Sequence, residues 1–518
     1  MNATDFLSIA TSICPDKVAI IFEGKRYTFN QLNDRVNSLA NALSNLGVSK
    51  GDRVALLQVN CNQCVETYFA VAKLGAIYVP LNFRAKGDEL TYMLSSSEAN
   101  TLLVGERYID LVNSISPGLT SVHHFISIES KHNGMLYYED VLSSSPAEEV
   151  VTEIDDNDTT ILVYTAGTTG LPKGVMLSHN SFAIYVLENV TPADPELEER
   201  NILTVPLYHV AGLQAVMAAI YGGRTLIMER QFEPREWMEL VTAEKVNRAM
   251  MVPTMLKQLM DHPDFGKHDL SSLQVITYGA APMPLEVIKR ALDVFPGVSF
   301  INAFGQTETA STITTLSPED HIIGGTEEER EKKLKRLTSI GKPMSDIEMK
   351  VVDEDGHELP AGQVGEIVAR GPRVMAGYWR DQEKTEKTID KEGWVHTGDM
   401  GYMDEDGYFF LAGRATDMII RGGENISPEE VEAVLHSHPK IEEAAVIGVP
   451  DEDWGEQPRA VVVLKQGETT TPEEIVEYCR ARMSSFKRPR SVIFVDQLPR
   501  NPMGKVLKRV LRQQYGGA

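Results

Sequence analysis

Residues 164–174 carry three glycines, three threonines and one lysine, and they begin at the last residue of the apolar segment 161–164. Glycine lets a backbone turn tightly toward an anion, and hydroxyls and an ammonium supply the donors that phosphate oxygens require. The apolar segment is typical of a buried strand, so the loop would leave a rigid edge. No hydroxyl residue follows Lys173, so this is not the G-x-x-x-x-G-K-[ST] loop. A flexible surface loop would not explain a lysine held behind Pro172, and we predict a phosphate-binding loop.

Short apolar segments alternate along the chain with amphipathic ones. Residues 28–46 begin with the capping pair Thr28 and Gln31 and continue with apolar side chains at helical spacing, which predicts a helix. Because parallel strands are joined by helical crossovers, the alternation predicts an α/β fold with parallel-rich sheets and helices. The next predicted elements are a strand at 54–57, a helix at 66–74, a strand at 76–79 and, from its charge run, an exposed helix at 327–336.

A chain of 518 residues exceeds what one hydrophobic core usually supports, so at least two domains are expected. The pattern changes near Gly413 and Arg414. We predict a large N-terminal domain of residues 1–414 and a small, mobile α+β C-terminal domain of residues 415–518. The elements predicted in the second domain are helices at 429–436 and 473–483 and strands at 444–449 and 460–464.

A formal charge of −24 argues against a general binder of nucleic acid or anionic membranes. The region 480–512 is the exception, because it holds ten lysines or arginines against the single acid Asp496. A solvated basic face would explain this cluster. On an acidic protein it also suggests a docking surface for phosphates.

Four cysteines are too few for a disulfide framework. Cys61 and Cys64 have the spacing of a redox or zinc motif, but no second pair or histidine cluster accompanies them, and their apolar neighbours favour core packing. The N-terminus lacks a basic and then apolar leader, and no stretch reaches membrane-spanning length. We expect a cytoplasmic enzyme without an integral membrane segment.

Five further segments follow the glycine-rich loop in a fixed order, and each is weak alone because such pairs are common at loop ends and caps. They are 278–282, with small residues against which a flat ring could lie; 302–308, with an aromatic ring, a hydroxyl and a carboxylate; 394–399, with an acid after a turn; 413–414 with 421–426; and 501–505, with a lysine. Together they resemble the acyl-adenylate-forming superfamily of acyl-CoA and aryl-CoA synthetases, amino-acid adenylation domains and beetle luciferases.

The resemblance implies a two-step reaction with ATP, Mg²⁺ and coenzyme A. A carboxylate attacks the α-phosphorus of ATP to give an acyl-adenylate and pyrophosphate. The C-terminal domain then rotates, and the thiol of CoA displaces AMP. Residues 1–414 would bind ATP and the acyl group, and residues 415–518 would carry the adenylation lysine and a loop facing CoA.

By the same resemblance, ATP and its metal would be held at matching positions. Thr307 and Lys505 would contact the α-phosphate, Lys505 would also reach the attacking carboxylate in the first step alone, and Glu308 would ligate Mg²⁺. Phe304 stands where the family usually has tyrosine, and it keeps the ring while losing a hydroxyl. The remaining expected ATP or AMP contacts are Thr165, Gly167, Thr168, Thr169, Gly170, Lys173, Gly279, Ala280, Ala281, Pro282, Asn302, Gly305, Asp399 and Arg414.

The CoA side of the resemblance lies in the C-terminal domain. The residues that would line the thiol tunnel or face the CoA phosphates are Gly422, Gly423, Glu424, Trp454, Lys487 and Arg488. The family hinge is usually aspartate or lysine, and here that position is Thr416. Rotation is a property of the backbone, so threonine does not block it, although a charge-based preference between two states would be lost.

The segment 206–212 distinguishes members of the family. It lacks the aspartate with which amino-acid adenylation domains pair an α-amino group, and it offers His209 as a gate beside the acyl carboxylate. A lone histidine is more often structural. The expected acyl pocket consists of His209, Val210, Gly212, Ala280 and Ala303.

These residues predict an apolar, amine-free small-molecule acid, with a fatty acid first and an aromatic or alicyclic acid second. A luciferase-like monooxygenase would share the first step and then use oxygen. A regulator that only binds nucleotide would need a broken loop or a lost Lys505, and both are intact. The sequence is compatible with a homodimer and predicts no nucleic-acid partner.

Overall fold

The computed structural model of the chain describes residues 2–165, 172–421, 424–451, 454–501 and 505–517, and of residues 424 and 425 it describes the backbone alone. Helices and strands alternate through most of these ranges, as expected. The helices are α1 (Asp5–Ile13), α2 (Phe29–Asn45), α3 (Asn62–Lys73), α4 (Gly87–Ser97), α5 (Ile109–Ile115), α6 (Tyr138–Ser143), α7 (His179–Asn189), α8 (Val210–Tyr221), α9 (Pro234–Glu244), α10 (Pro253–Asp261), α11 (Leu285–Val294), α12 (Glu327–Arg336), α13 (Gln382–Thr388), α14 (Pro428–His436), α15 (Pro472–Arg480) and α16 (Lys508–Tyr515).

The strands up to Arg414 precede those of a separate C-terminal sheet. They are β1 (Val18–Phe22), β2 (Lys25–Thr28), β3 (Arg53–Leu57), β4 (Ile77–Pro80), β5 (Thr101–Val104), β6 (His124–Ser127), β7 (Leu136–Tyr137), β8 (Thr159–Thr165), β9 (Lys173–Ser178), β10 (Arg200–Leu203), β11 (Thr225–Met228), β12 (Arg248–Met251), β13 (Val275–Gly279), β14 (Ser299–Gln306), β15 (Ser311–Leu316), β16 (Lys342–Pro343), β17 (Glu348–Val352), β18 (Gly365–Arg370), β19 (Gly377–Tyr378), β20 (Val395–Met403) and β21 (Phe409–Arg414). The later ones are β22 (Ile419–Arg421), β23 (Glu424–Ile426), β24 (Ile441–Asp451), β25 (Gly455–Leu464) and β26 (Ser491–Phe494).

Within the described ranges these strands form four sheets. Two are large and parallel-rich, with the orders β16-β15-β14-β13-β12-β10-β11-β1-β2 and β19-β9-β8-β4-β3-β5-β6-β7. The third, β17-β18-β20-β21, is antiparallel. The fourth follows Arg414 and has the order β23-β22-β25-β24, with β26 paired to β25. This is the α/β architecture that the alternating pattern predicted, with a smaller C-terminal unit.

The predicted N-terminal helix is confirmed as α2, which begins after Thr28. The Thr28 hydroxyl accepts from the Gln31 amide at 3.2 Å, and the Gln31 side chain accepts from the Thr28 amide at 3.0 Å. Its apolar face, including Leu32, Val36 and Leu39, is fully buried. The helix therefore forms from its cap and its amphipathic spacing together.

Other predictions from the pattern agree with the structure within a few residues. The charge run forms α12, which buries none of its side chains. The structure begins α3 at Asn62, four residues before the predicted start. All four cysteines are free and buried, and Cys61 and Cys64 belong to the main apolar core, which confirms the packing interpretation.

The C-terminal unit has a core of its own. Ile419, Leu435, Val446 and Ile475 are all fully buried within one cluster made by the fourth sheet and its helices α14 and α15. Strand β21 ends at Arg414, and the turn at 415–417 leads into β22. As for the membrane, none of the helices in the described ranges has both the length and the apolarity required to cross one.

Candidate active site

Thr165 and Lys173 lie opposite each other where strands β8 and β9 meet the glycine-rich loop. The antiparallel register of the two strands brings them together. The hydroxyl oxygen of Thr165 is buried and has no hydrogen-bond partner among the described residues. Leaving a buried hydroxyl without a hydrogen bond costs free energy. A bound phosphate oxygen would supply the missing partner. The expected contacts Gly167, Thr168, Thr169 and Gly170 lie outside the described residues.

Lys173 does not stand free but joins a cluster with Glu308 and Tyr378. Its ammonium lies 2.6 Å from Oε1 of Glu308 and also donates to the Tyr378 hydroxyl, above whose ring it sits at 4.3 Å. The Tyr378 hydroxyl in turn donates to the same Glu308 oxygen at 2.8 Å. Sequence reasoning missed Tyr378, since it occupies a two-residue strand with no spacing signal.

Glu308 sits in a short 3-10 turn (Thr307–Thr309) that follows β14. Its backbone carbonyl accepts from Met375 N–H at 2.9 Å, which fixes the turn against a later loop. Burial alone would raise the pKa of the Glu308 carboxyl. The charge of Lys173 and the side-chain hydrogen bonds from Lys173 and Tyr378 lower it by more, so the net shift is downward. Glu308 is therefore an ionised carboxylate held in a nearly buried position.

These groups fit a magnesium nucleotide. Mg²⁺ prefers a few carboxylate and phosphate oxygens together with water, and Glu308 supplies such a carboxylate. Thr307 is half-buried beside it, and the orphaned Thr165 hydroxyl and Lys173 supply donors for phosphate oxygens.

The small-residue segment 278–282 begins in the last two residues of β13, beside β14. A Cβ on Gly279 would lie 2.0 Å from the carbonyl oxygen of its neighbour Ala303, so only glycine fits there. Ala280 is exposed and has a φ of 64°, a strained conformation that is frequent at functional sites. Ala281 is half-buried and Pro282 exposed. The end of β13 therefore leaves small residues accessible beside β14.

Three of the expected contacts lie on β14 itself. Phe304 packs against apolar clusters on one side and stays partly exposed. A Cβ on Gly305 would fall 1.4 Å from the Ser311 carbonyl oxygen, so glycine is required by the close approach of β15. The Asn302 amide is buried and donates to the Ser339 carbonyl at 3.2 Å.

Asp399 and Arg414 face each other across β20 and β21. Arg414 Nε lies 2.6 Å from Asp399 Oδ1, and Gln306 Nε2 donates to Oδ2 at 2.5 Å. Burial raises the pKa of Asp399, and the charges of Arg414 and Lys505 offset only part of that effect. Each carboxylate oxygen keeps a further lone pair for a ribose hydroxyl. Sequence reasoning missed Gln306.

Lys505 lies close enough to Arg414 and Asp399 for their charges to act on its pKa. Desolvation by the surrounding protein lowers that pKa first, and Arg414 lowers it further, although the side chain keeps contact with solvent. The backbone N–H of Lys505 donates to Asn501 Oδ1 at 2.8 Å. Lys505 is exposed and lies within electrostatic range of Asp399 and Arg414.

His209 is the residue before α8 and presents a buried Nε2 that has no partner among the described residues. Burial lowers the pKa of His209 to about 4, so its imidazole is neutral at physiological pH. Its ring lies 4.3 Å from that of Tyr208, and Val210 beside it is buried. Gly212 is required because a Cβ there would lie 2.6 Å from the Pro206 carbonyl oxygen.

On the expected CoA side, Gly422 and Gly423 lie outside the described residues, and only the backbone of Glu424 is described. Trp454 is 51% exposed, and the Arg421 guanidinium lies 4.8 Å from its ring centroid. Sequence reasoning missed Arg421.

The expected CoA-facing cations differ in how they are paired. Lys487 is paired with Glu430 at 2.6 Å, and other cations of the basic region are also paired with acids. A CoA phosphate would therefore have to compete for Lys487. The Nε of Arg488 is buried and has no partner in the part of the chain that the structure describes.

Thr416 lies exposed in the middle of the turn at 415–417. The backbone N–H groups of Asp417 and Met418 donate to the Arg414 carbonyl at 2.8 and 2.9 Å, which closes the turn on Arg414. Asp417 also forms an ion pair with Arg512 at 2.5 Å. The expected hinge position thus lies in an exposed turn.

Comparison with known proteins identifies the family of this chain. The AMP-binding enzyme family matches residues 10–379, and the C-terminal domain of AMP-binding enzymes matches residues 430–505. Feruloyl-CoA synthase of an Amycolatopsis species is 35% identical over 503 residues, which cover 97% of this chain and 96% of that enzyme. A long-chain-fatty-acid–CoA ligase, FadD13 of Mycobacterium tuberculosis, is 34% identical over 495 residues, covering 95% and 93%.

The fold also matches solved structures. The anthranilate CoA ligase AuaEII in complex with anthranoyl-AMP superposes with a TM-score of 0.89 at 29% identity, covering 99% of this chain and 97% of that one. The similarity spans both the large and the small unit.

Proposed function

This chain belongs to the AMP-binding enzyme family, the acyl-adenylate-forming superfamily, and is an AMP-forming acid–CoA ligase that uses ATP, Mg²⁺ and CoA; we propose that its acid is a fatty acid. The carboxylate displaces pyrophosphate from ATP and gives an acyl-adenylate. The CoA thiol then loses its proton and displaces AMP, which leaves a thioester. A carboxylate alone is a poor electrophile because its leaving group would be oxide, whereas AMP leaves readily.

The protein mainly orients groups and neutralises charge in such a reaction. We assign Thr165 and Lys173 to the terminal phosphates and Thr307 to the α-phosphate, with Asp399 and Arg414 on the ribose. Mg²⁺ bound at Glu308 supplies positive charge to the phosphate oxygens. The unpartnered Thr165 hydroxyl and the ionised, buried Glu308 support these roles.

Lys505 is assigned to the first step. A compact ammonium on a flexible stem suits a contact that exists in one step and not the next. Its position beside Arg414 and Asp399 supports this assignment. We propose that residues 1–414 bind ATP and acid, and that residues 415–518 rotate about Thr416 to bring the CoA-facing residues to the adenylate.

The proposal for the class of acid substrate rests on His209. The imidazole is neutral, and its buried Nε2, which lacks a partner among the described residues, offers a polar contact without a net charge. No acid in residues 206–212 could pair with an amino group, and the buried Val210 adjoins the histidine. These features support an apolar acid without an amine.

We place a fatty acid first because the residue that follows His209 is the aliphatic, buried Val210. The second candidate is an aromatic or alicyclic acid, which the ring of Tyr208 beside His209 favours. Relatives of both kinds exist, since one acts on a long-chain fatty acid and another on a ferulate.

A screen of pyrophosphate release tests this choice. Fatty acids of graded chain length, benzoate, a cinnamate-type acid and an alicyclic acid are supplied with Mg·ATP, with and without CoA. The proposal expects the highest kcat/KM with a fatty acid and multiple turnovers only with CoA. A ring acid with the highest kcat/KM would make the second candidate the function, and turnover with oxygen instead of CoA would overturn both.

A further inference from the structure

Tyr378 holds a position between the two charged groups that the proposed function assigns to the nucleotide. The residue is 3% exposed, and its hydroxyl bonds to both Lys173 and Glu308. A phenol has one donor and two acceptor sites, so it can accept from the lysine and donate to the carboxylate at once. No other described side chain bonds to both members of this ion pair.

The backbone around Tyr378 is fixed to the strand that carries Lys173. Strand β19 pairs with β9 in the register Tyr378 to Val175, two residues from Lys173. Trp379 N–H donates to the Gly174 carbonyl at 2.8 Å, and Tyr378 N–H donates to the Thr385 hydroxyl at 2.9 Å. The hydroxyl is therefore presented by a rigid element.

The contact between Lys173 and Glu308 is weakened if Lys173 turns toward a bound nucleotide. An ammonium has three donors, and in this structure Glu308 and Tyr378 take two of them. If phosphates draw Lys173 away from Glu308, the buried carboxylate loses its charged partner until Mg²⁺ reaches it, which is costly. A hydrogen bond that stays on Glu308 throughout would reduce this cost.

We propose that Tyr378 is a positioning residue: its hydroxyl keeps Glu308 oriented while Lys173 turns from Glu308 to the phosphates, so that Glu308 keeps its place when Mg·ATP binds. This inference rests on the proposed function and deepens it. The tyrosine contacts the two nucleotide-binding side chains and acts through them.

The test is Tyr378→Phe, which keeps the ring under Lys173 and removes only the hydroxyl. Binding of Mg·ATP is measured by calorimetry without acid, over a range of Mg²⁺ concentrations. Loss of one hydrogen bond to a charged group predicts a roughly tenfold higher half-saturating Mg²⁺. Conversion of a supplied acyl-adenylate and CoA to the thioester stays unchanged.

Tyr138→Phe is the matched control, because the Tyr138 hydroxyl is also buried and donates to a carboxylate, Glu66, at 2.6 Å outside the site. It should lower the melting temperature without changing the Mg²⁺ requirement. If Tyr378→Phe behaves like this control, the tyrosine is structural and the inference fails. Wild-type enzyme that binds no Mg·ATP would overturn the proposed function instead.

A structure of the wild-type enzyme with Mg·ATP supplies a test that does not depend on a variant folding. The inference requires the Tyr378 hydroxyl to remain within hydrogen-bond distance of Glu308 while the Lys173 ammonium contacts phosphate. A hydroxyl that has turned away from Glu308 overturns it.

Discussion

Asp399 and Arg414 form an ion pair at 2.6 Å because the antiparallel register of β20 and β21 sets them directly opposite each other. Arg414 is also the last residue before the turn that leads to the C-terminal sheet. The charge of Lys505, from the far end of the chain, offsets part of the rise in the pKa of Asp399 that burial causes. Asp399 and Arg414 are therefore paired at the end of β21, within electrostatic range of Lys505.

Lys505→Ala should remove the adenylation step alone. A charge-assisted contact to the transition state would disappear, and we expect a loss on the order of 10²-fold or more in acyl-AMP formation. Thioester formation from a supplied acyl-adenylate should be retained. Lys440→Ala, which removes a surface lysine bonded to the Thr469 carbonyl, is the control. Equal loss in both half-reactions would contradict the role of Lys505.

Glu308→Gln should raise the Mg²⁺ requirement of adenylation. The amide keeps the shape and can still bond to Tyr378, but it removes the charge that Lys173 and the metal share. Titration of the pyrophosphate-release rate with Mg²⁺ measures the effect. A curve identical to that of the wild type would refute the metal assignment.

Thr416→Pro should separate the two half-reactions. Proline fixes φ and restricts the backbone rotation that would exchange Lys505 for the CoA-facing residues. If the variant is held in the arrangement seen here, one equivalent of pyrophosphate is released per enzyme while thioester formation fails. Thr416→Ala is the control and should turn over normally. Full steady-state activity of the proline variant would place the hinge elsewhere.

The partly buried His209, whose Nε2 is buried, makes the free energy of unfolding depend on pH. Burial lowers its folded-state pKa to about 4, whereas in an unfolded chain histidine titrates near 6.5. Between these two pKa values the unfolded state binds more protons than the folded state. His209 therefore does not affect stability above about pH 6.5, and it lowers the free energy of unfolding as the pH falls toward 4.

His209→Gln should therefore show a shallower loss of unfolding free energy between pH 6.5 and 4 than the wild type. His179, whose pKa burial also lowers to about 4, gives a comparison, and His179→Gln should have the same effect. Denaturant unfolding at several pH values measures it. Parallel slopes for wild type and His209→Gln would show that the imidazole is not buried as described.

The sequence predicted those helices and strands whose pattern of apolar and capping residues lies within one continuous segment. The capping pair and apolar spacing of α2 are contained in one segment, and the strand before the glycine-rich loop is likewise a continuous apolar run. Helix α3 was placed four residues late, since nearly every side chain along it is buried and no polar face marks its start. Periodicity gives no boundary in such a helix.

The site was predictable where a motif carries it and not where contacts come from distant strands. Lys173, Glu308, Asp399 and Lys505 lie in recognisable segments, and the structure brings Lys173 next to Glu308 and Lys505 near Asp399. Tyr378 and Gln306 were missed because their roles depend on sheet register: a two-residue edge strand in one case and a bond from β14 to β20 in the other.

The most direct test of the two-step account is ATP–pyrophosphate exchange in the absence of CoA, followed by product analysis with CoA. We expect exchange that depends on a fatty acid and on Mg²⁺, and, once CoA is added, AMP and acyl-CoA in equal amounts. Exchange without any acid, or the formation of ADP and inorganic phosphate in place of AMP and pyrophosphate, would contradict the account.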